Sequence, residues 1–166
     1  SFEGFNKWRS ETPLNRQSIL EKAAKILERE FDKNSENLTR EMGKPLAEAK
    51  IEMQVAIDLL RWYGEEGKRV YGRIIPSRIP NMEHEARKVP VGPVLAFVAW
   101  NFPATNVMRK VAGALAAGCS ITIKPSEETP ATAIAIGKAL MEAGLPAGVL
   151  NIVFGVPSEV SEHLLA

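Results

Sequence analysis

The chain contains 166 residues, 45% of them hydrophobic and 25% charged, and its 21 Lys and Arg nearly balance its 20 Asp and Glu. This composition excludes a chain that is disordered throughout, and a net charge of +1 provides no field that would attract nucleic acid or an anionic membrane. The sequence has one cysteine, Cys119, two distant histidines, no apolar run of membrane-spanning length and no signal-peptide core, so we expect a cytoplasmic protein without a disulfide bond or a metal site.

Residues 1–70 are predicted to form an N-terminal helical segment. Thr12-Pro13 is typical of an N-cap followed by proline at the first helical position, and apolar residues then recur at helical spacing as far as Phe31. The glycine and proline of residues 42–45 interrupt the chain, and a second helix with an apolar side is predicted from Leu46 onwards. We therefore expect two amphipathic helices in this segment.

Residues 71–90 differ in character from the helical segment. Three prolines, Pro76, Pro80 and Pro90, separate short β-branched stretches such as Ile74-Ile75. Proline and charged residues are typical of strands at the edge of a sheet, where they limit unwanted pairing. The pattern predicts an extended arm, either a strand or a hairpin, that is exposed to solvent.

Residues 91–166 alternate between predicted strands and predicted helices, and each helix begins with proline. The strands are expected at 94–99, 121–123 and 149–154, and the helices at 103–117, at 130–143 and from 157 onwards. The first strand is a continuous apolar run, which is typical of a parallel strand buried on both faces. The order βαβαβα predicts an α/β protein with part of a Rossmann-like doubly wound parallel sheet and right-handed crossovers.

The usual phosphate-binding motifs are absent from this predicted sheet. No two of the twelve glycines are spaced as G-x-G, and Gly113 and Gly118 have the spacing of a P-loop without its lysine. Polar residues instead follow the first two strands, in the segments 100–103 and 124–130, and a third polar segment lies at 41–46. Because parallel sheets bind ligands beyond the carboxyl ends of their strands, the first two segments are candidates for catalysis or cofactor binding.

Together these segments resemble the N-terminal part of the NAD(P)-dependent aldehyde dehydrogenase superfamily, within its cofactor-binding region. The stretches WNFP, ALAAGC, KPSEETP and AGLPAGVLNIVFG occur in the order and spacing of that family, and the resemblance covers essentially the whole chain. Within that superfamily, the sequence most resembles the succinate-semialdehyde dehydrogenase branch. Two departures are visible: Ala99 stands where the family usually has proline, and the chain ends at Ala166, before the family's G-S-T cofactor strand.

The resemblance implies a catalytic role for Asn101. In the family a cysteine thiolate attacks the aldehyde, hydride passes to the nicotinamide, and the resulting thioester is hydrolysed. Asn101 would donate its side-chain amide to the oxyanion that forms in the first step, and an amide suits this role because it donates without titrating. The alternative is that Asn101 caps the helix that begins at Pro103.

The resemblance also implies a nucleotide site at the ends of the first two strands. Its residues are Val98, Trp100, Asn101, Lys124, Pro125, Ser126 and Glu127. Lys124 and Glu127 would bond the adenosine ribose, and because a carboxylate repels a 2′-phosphate, Glu127 favours NAD. NADP is the alternative, since Lys124 could attract that phosphate. Glu127 and Glu128 could instead serve the positive N-terminus of the following helix, and both roles are compatible.

Two further regions gain a role from the resemblance. Arg109 matches the arginine with which the succinate-semialdehyde branch holds its substrate's carboxylate, and the guanidinium fork suits that anion. The alternatives for Arg109 are a solvated side chain or a pair with a carboxylate on another helix. The arm at 71–90 resembles the family's oligomerisation strands, which implies a homo-oligomer.

The family's nucleophilic cysteine and general-base glutamate lie beyond the end of this chain, so we expect no activity from it alone. Cys119 is expected to be a small buried residue, because it follows Ala-Ala-Gly at the start of a buried strand and has no cationic neighbour in the sequence. Trp8 and Trp62 are expected in the core. The alternative function is a non-catalytic truncated fragment that acts as an assembly or interaction module.

Overall fold

Seven helices and five strands account for most of the chain in a computed structural model that describes residues 1–165. The helices are α1 Phe2–Trp8, α2 Pro13–Arg29, α3 Phe31–Met42, α4 Leu46–Glu66, α5 Pro103–Ala116, α6 Pro130–Glu142 and α7 Pro157–Leu165. The strands are β1 Arg73–Pro76, β2 Glu83–Ala86, β3 Val94–Phe97, β4 Ile121–Lys124 and β5 Leu150–Ile152. A short 3-10 turn at Gly67–Arg69 follows α4.

The N-terminal segment contains four helices where the sequence predicted two. Helix α2 begins as expected, with the Thr12 hydroxyl accepting a hydrogen bond from the Asn15 N–H at 3.1 Å. The helix ends at Arg29, however, and α3 starts again at Phe31, so the predicted helix is divided at Glu30. No glycine or proline marks this division, which is why the periodicity did not reveal it.

Helix α1 was also not predicted. It has only seven residues, too few for periodicity to detect, and it is held by tertiary contacts rather than by its own propensity. The indole of Trp8 is fully buried and donates to the Leu115 carbonyl at 2.8 Å. The core position expected for Trp8 is therefore confirmed.

The predicted arm contains an exposed antiparallel hairpin. Strands β1 and β2 pair from Arg73 opposite Ala86 to Pro76 opposite Glu83, and all eight of their residues are exposed. Asn81 in the connecting turn has a φ of 62°, a left-handed conformation that asparagine tolerates better than most residues. The hairpin thus presents both of its faces to solvent within the part of the chain that the structure describes.

The second sheet is parallel, with strand order β3-β4-β5, which confirms the predicted α/β fold class. Sequential order with right-handed crossovers places α5 and α6 on the same face of the sheet, and these two helices contact each other. Gly118 and Gly144, with φ values of 86° and 98°, follow the ends of the two helices and allow the chain to turn into the next segment.

The expectation that the first strand of this sheet is buried on both faces was wrong. Phe97 is 39% exposed, and Val94 and Leu95 are half-buried. The physical reason is position: among residues 1–165, β3 is an edge strand that pairs only with β4, and the crossover helices cover one face of the sheet. The central strand β4 is better covered, with Ile121 and Ile123 fully buried.

The core lies between the N-terminal helices and the helix-covered face of the parallel sheet. Helix α4 packs along α5 and α2, and its buried stripe includes Met53, Ile57 and Leu60. Trp62 lies outside this stripe and is 64% exposed, so its predicted core position was wrong. None of the helices in residues 1–165 combines the length and the apolar character that crossing a bilayer requires.

Candidate active site

The ends of β3 and β4 bring the two predicted functional loops to the same edge of the sheet. Phe97 lies opposite Lys124 in the register, and the Val98 N–H donates to the Lys124 carbonyl at 3.1 Å. Trp100 and Asn101 follow one residue after this bridge, and both side chains are exposed. The loop that begins at Trp100 and the loop that begins at Lys124 therefore leave neighbouring strands at one edge.

The loop after β4 is organised by its own ion pair. The buried Lys124 ammonium donates to the Glu127 carboxylate and to the Pro125 carbonyl, the latter at 3.3 Å. The hydrogen bond from Lys124 lowers the pKa of Glu127, and a backbone N–H bond from Gly155 adds to the effect. Glu127 itself is exposed, so it presents an ionised acceptor at the strand end at neutral pH.

The loop after β3 is held by a carboxylate from another helix. Glu52 on α4 is 4% exposed, and its Oε1 accepts hydrogen bonds from the backbone N–H groups of Ala104 at 2.8 Å and Thr105 at 3.1 Å. These are N–H groups of the first turn of α5, which have no partner within the helix. Glu52 therefore caps α5 from a distance in the sequence.

The capping role considered for Asn101 was wrong. The residue that precedes α5 is Phe102, and α5 receives no hydrogen bond from its own capping side chain. The Asn101 Oδ1 instead accepts from the Asn106 Nδ2 at 3.4 Å. Within residues 1–165 the Asn101 Nδ2 makes no hydrogen bond, so this amide N–H group is available to another acceptor.

Lys44 joins the cap to the Asn101 loop. Its ammonium donates to the Glu52 carboxylate and to the Asn101 carbonyl, the latter at 3.5 Å, and it lies 4.4 Å from the centre of the Phe102 ring. Lys44 is 8% exposed, so both charges of the Lys44–Glu52 pair are buried. The pair consequently contacts the Asn101 loop on its backbone and leaves the Asn101 side chain free.

Helix α6 is capped in the same manner as α5. Glu41, in the last turn of α3, accepts from the backbone N–H groups of Ala131 at 2.6 Å and Thr132 at 3.0 Å, and from the Thr132 hydroxyl. The hydrogen bonds to the first turn of α6 thus come from Glu41 and not from Glu127 or Glu128, which were expected to act on this helix only through their charge. Their charges still lie near the positive end of α6, where they are electrostatically favourable.

A cavity of about 380 Å³ lies between α4 and α5, beside the Asn101 loop. Its lining includes Lys44, Ile51, Phe102 and Arg109. Arg109 is exposed and forms no salt bridge in the part of the chain that the structure describes, so the inter-helix pair considered for it is not formed there. An unpaired guanidinium at the wall of a largely apolar cavity is suited to binding an anion.

Cys119 lies away from this site. It is buried, as expected, and it precedes β4, whereas Lys124 ends that strand. Arg16 interacts electrostatically with Cys119, which the sequence could not indicate. Burial lowers the pKa of this guanidinium, and Cys119 and Glu11 oppose that change. Among the residues described, no group of three His, Cys, Asp or Glu could hold a metal ion.

Glu52 is the site residue that the sequence interpretation missed, although a signal was present. It lies on the side of α4 that also carries Ala49, Met53 and Ala56, so it is a carboxylate within an apolar stripe. A charge in such a position is rarely left buried without a partner. The segment 41–46 was noted as polar, but the helices that Glu41 and Lys44 contact could not be read from it.

Comparisons of the sequence with a family model and with individual proteins agree on one family. The aldehyde dehydrogenase family model matches residues 2–166. A 4-(hydroxymethyl)benzenesulfonate dehydrogenase of Comamonas testosteroni is 47% identical over 164 residues, which make up 99% of this chain and 34% of that protein. A succinate-semialdehyde dehydrogenase (NADP(+)) of Escherichia coli K12 is 40% identical over 157 residues, which make up 95% of this chain and 33% of that protein.

Solved structures agree with the sequence matches. The crystal structure of a succinate-semialdehyde dehydrogenase from Burkholderia pseudomallei has a TM-score of 0.96 and 40% identity, and the match covers 98% of this chain and 34% of that one. The chain thus spans about a third of the length of these relatives.

Proposed function

The chain belongs to the aldehyde dehydrogenase family, and we propose that it is the N-terminal third of an enzyme that oxidises an aldehyde to the carboxylic acid with NAD(P). The observation that carries this proposal is the convergence of the Asn101 loop and the Lys124–Glu127 loop at the ends of adjacent strands. One loop would serve the reacting aldehyde and the other the cofactor. The thiol nucleophile and the general base would be supplied by residues outside this chain.

Asn101 is proposed as the donor to the oxyanion. When a thiolate adds to an aldehyde, negative charge develops on the former carbonyl oxygen and needs a positioned donor. The Asn101 Nδ2 has no competing partner within residues 1–165, and the loop backbone is held by Lys44. Because the backbone of this donor is already restrained, less conformational entropy is lost when it binds the transition state.

The Lys124–Glu127 loop is proposed to bind the adenosine ribose of the cofactor, which when bound accepts the hydride. The ionised, exposed Glu127 carboxylate suits ribose hydroxyls and would repel a 2′-phosphate, which supports NAD as the preferred cofactor. Val98, Trp100, Pro125 and Ser126 lie in the two loops and at the strand end beside them. NADP remains the second candidate, as the printed name of the E. coli relative indicates for that protein.

An aldehyde that carries an acidic group is the proposed substrate class. Arg109 lies unpaired at the wall of the cavity between α4 and α5, and its guanidinium would bind a carboxylate in bidentate fashion. The names of two relatives describe a sulfonate and a semialdehyde with a carboxylate, both anionic. Succinic semialdehyde is therefore the first substrate to test.

The test is aldehyde-dependent reduction of NAD and of NADP by a full-length enzyme that carries this chain. We expect reduction with succinic semialdehyde, faster with NAD than with NADP at equal concentrations. Absence of aldehyde-dependent reduction with both cofactors, for acidic and neutral aldehydes alike, would refute the proposed function.

The exposed β1–β2 hairpin supports a homo-oligomer formed through residues 71–90. A cytoplasmic location is also proposed, because the single cysteine suits a reducing compartment. The second candidate function is a non-catalytic assembly module made of this chain alone. The mass of the protein in its source cells separates the two: a species near 18.2 kDa without a longer form favours the module, and a longer form favours the enzyme.

A further inference from the structure

Two carboxylates from the N-terminal helices cap the two helices that follow the functional loops. Glu52 accepts from the first turn of α5, which follows the Asn101 loop, and Glu41 accepts from the first turn of α6, which follows the Lys124–Glu127 loop. Neither α5 nor α6 has a side-chain cap of its own, since their capping residues Phe102 and Thr129 make no such hydrogen bond. The start of each helix is therefore located by a distant segment.

The Lys44–Glu52 pair has the features of a positioning device rather than of a simple stabiliser. Both charges are buried, and a buried ion pair often stabilises a fold no better than apolar residues of the same volume. Its hydrogen-bonding capacity is instead directed at one loop: one Glu52 oxygen binds two N–H groups of α5, and Lys44 contacts the Asn101 carbonyl and the Phe102 ring. These contacts hold the Asn101 backbone and the residues that follow it, up to the first turn of α5.

Glu41 acts on the other loop in a different way. It contacts only the start of α6, at Ala131 and Thr132, and it makes no contact with the Asn101 loop among the hydrogen bonds described. The loop between β4 and α6 is short, so a shift of the helix start would move Glu127 relative to Lys124. The two caps therefore control separate ends of the site.

We propose that Glu52, together with Lys44, is the positioning residue for the Asn101 amide, and that Glu41 is the positioning residue for the Lys124–Glu127 loop. This inference rests on the function proposed above. It predicts that the two carboxylates affect different kinetic quantities: loss of Glu52 lowers kcat, and loss of Glu41 weakens cofactor binding.

The test compares Glu52→Gln and Glu41→Gln in a full-length enzyme that carries this chain. We expect Glu52→Gln to lower kcat by about tenfold to a hundredfold, because displacement of a reacting group by about 1 Å costs that much, with the NAD Kd nearly unchanged. Glu41→Gln should raise the NAD Kd severalfold with a smaller effect on kcat. Glu66→Gln is the matched control, since Glu66 is an exposed carboxylate of the same helix that lies outside the lining of the cavity between α4 and α5.

A double-variant cycle with Asn101→Ala separates positioning from general stability. If Glu52 acts through Asn101, Glu52→Gln causes no further loss of kcat once Asn101 is alanine. Additive losses, or equal effects of Glu52→Gln and Glu41→Gln on both kcat and NAD Kd, would overturn the inference. If Glu52→Gln does not fold, Lys44→Met in the same cycle replaces it, because the caps on Ala104 and Thr105 are then kept.

The same cycle distinguishes failure of this inference from failure of the function. An unchanged kcat in Asn101→Ala removes the oxyanion role and the positioning role together. A lowered kcat in Asn101→Ala, with Glu52→Gln and Lys44→Met both at the level of the parent enzyme, leaves the function standing and rejects only the positioning role.

Discussion

The loop that carries Asn101 and the loop that runs from Lys124 to Glu127 leave adjacent strands, yet they are held in different ways. The first is restrained by a buried pair on other elements, Lys44 and Glu52, while its Asn101 side chain stays free. The second is organised locally, because a buried lysine pairs with an exposed glutamate three residues later. The contacts from other elements leave the Asn101 amide N–H group without a hydrogen bond. The local ion pair, in contrast, occupies the Glu127 carboxylate that would bind the cofactor.

This difference suggests how each loop meets its ligand. An oxyanion donor must be in place before the charge develops, so a free side chain on a fixed backbone is suitable. A ribose site tolerates adjustment, and Glu127 can exchange part of its bond with Lys124 for bonds to hydroxyl groups. The first loop is thus expected to be sensitive to small changes of geometry, and the second to changes of charge.

The largest effect is expected at Asn101. In a full-length enzyme carrying this chain, Asn101→Ala should lower kcat by about a hundredfold or more, with NAD affinity retained, because a donor to the oxyanion is lost. Asn101→Asp keeps the size of the side chain but removes the donor, so it should be at least as impaired. Steady-state rates with a cofactor titration check this; near-normal turnover in Asn101→Asp would contradict a donor role.

A smaller effect is expected at Arg109. Arg109→Ala should raise KM for succinic semialdehyde by about tenfold, since a charge-assisted hydrogen bond to the carboxylate is lost, and should change KM for a neutral aldehyde much less. Lys110→Ala is the control, because Lys110 is the adjacent exposed cation of α5. Equal changes of KM for both aldehydes would show that Arg109 does not bind the acidic group.

A shift in cofactor preference is expected at Glu127. Glu127→Ser should raise the use of NADP relative to NAD severalfold, because the like-charge repulsion of the 2′-phosphate is removed. Glu128→Ser, at the neighbouring exposed carboxylate, should leave the ratio unchanged. The measurement is the ratio of kcat/KM for the two cofactors; an unaltered ratio in Glu127→Ser would remove this residue from the ribose site.

The smallest effect concerns pH. Lys124 holds the pKa of Glu127 below its usual value, so the carboxylate stays ionised to lower pH than an unpaired glutamate would. The preference for NAD over NADP should therefore be flat near neutral pH, and it should decline only as the pH drops through the lowered pKa. In Lys124→Met the decline should begin at higher pH, as measured by cofactor Kd; a pH midpoint that Lys124→Met leaves unchanged would argue against the pairing.

The sequence predicted those parts of the fold that depend on local signals. Thr12-Pro13 marked the start of α2, Gly118 and Gly144 marked the ends of α5 and α6, and apolar runs located the three parallel strands. The convergence of the two loops followed from the strand order, because the carboxyl ends of adjacent parallel strands meet at one edge. The proposed roles of the loop residues came from the family resemblance, and they stay predictions.

The features that escaped prediction depend on tertiary contacts. Helix α1 is stabilised by the contact of Trp8 with α5. The division between α2 and α3 at Glu30 is not marked by a glycine or a proline. Trp62 is hydrophobic but lies outside the buried stripe of α4. The helical period alone does not show whether a side chain at the edge of that stripe is buried or exposed. The two backbone N–H groups that Glu52 caps lie more than fifty positions away, so only the fold reveals its role.

The contacts between Glu52 and α5 do not involve the hairpin, although the hairpin lies between these two elements in the sequence. Residues 71–90 lie between α4 and α5 in the sequence. The two helices are nevertheless joined directly by the hydrogen bond from the Ala104 N–H to Glu52. The hairpin thus lies in a segment between two helices, α4 and α5, that non-covalent bonds already join. A change in the length or the tip of the hairpin is therefore expected to leave the contacts between α4 and α5 beside the Asn101 loop in register.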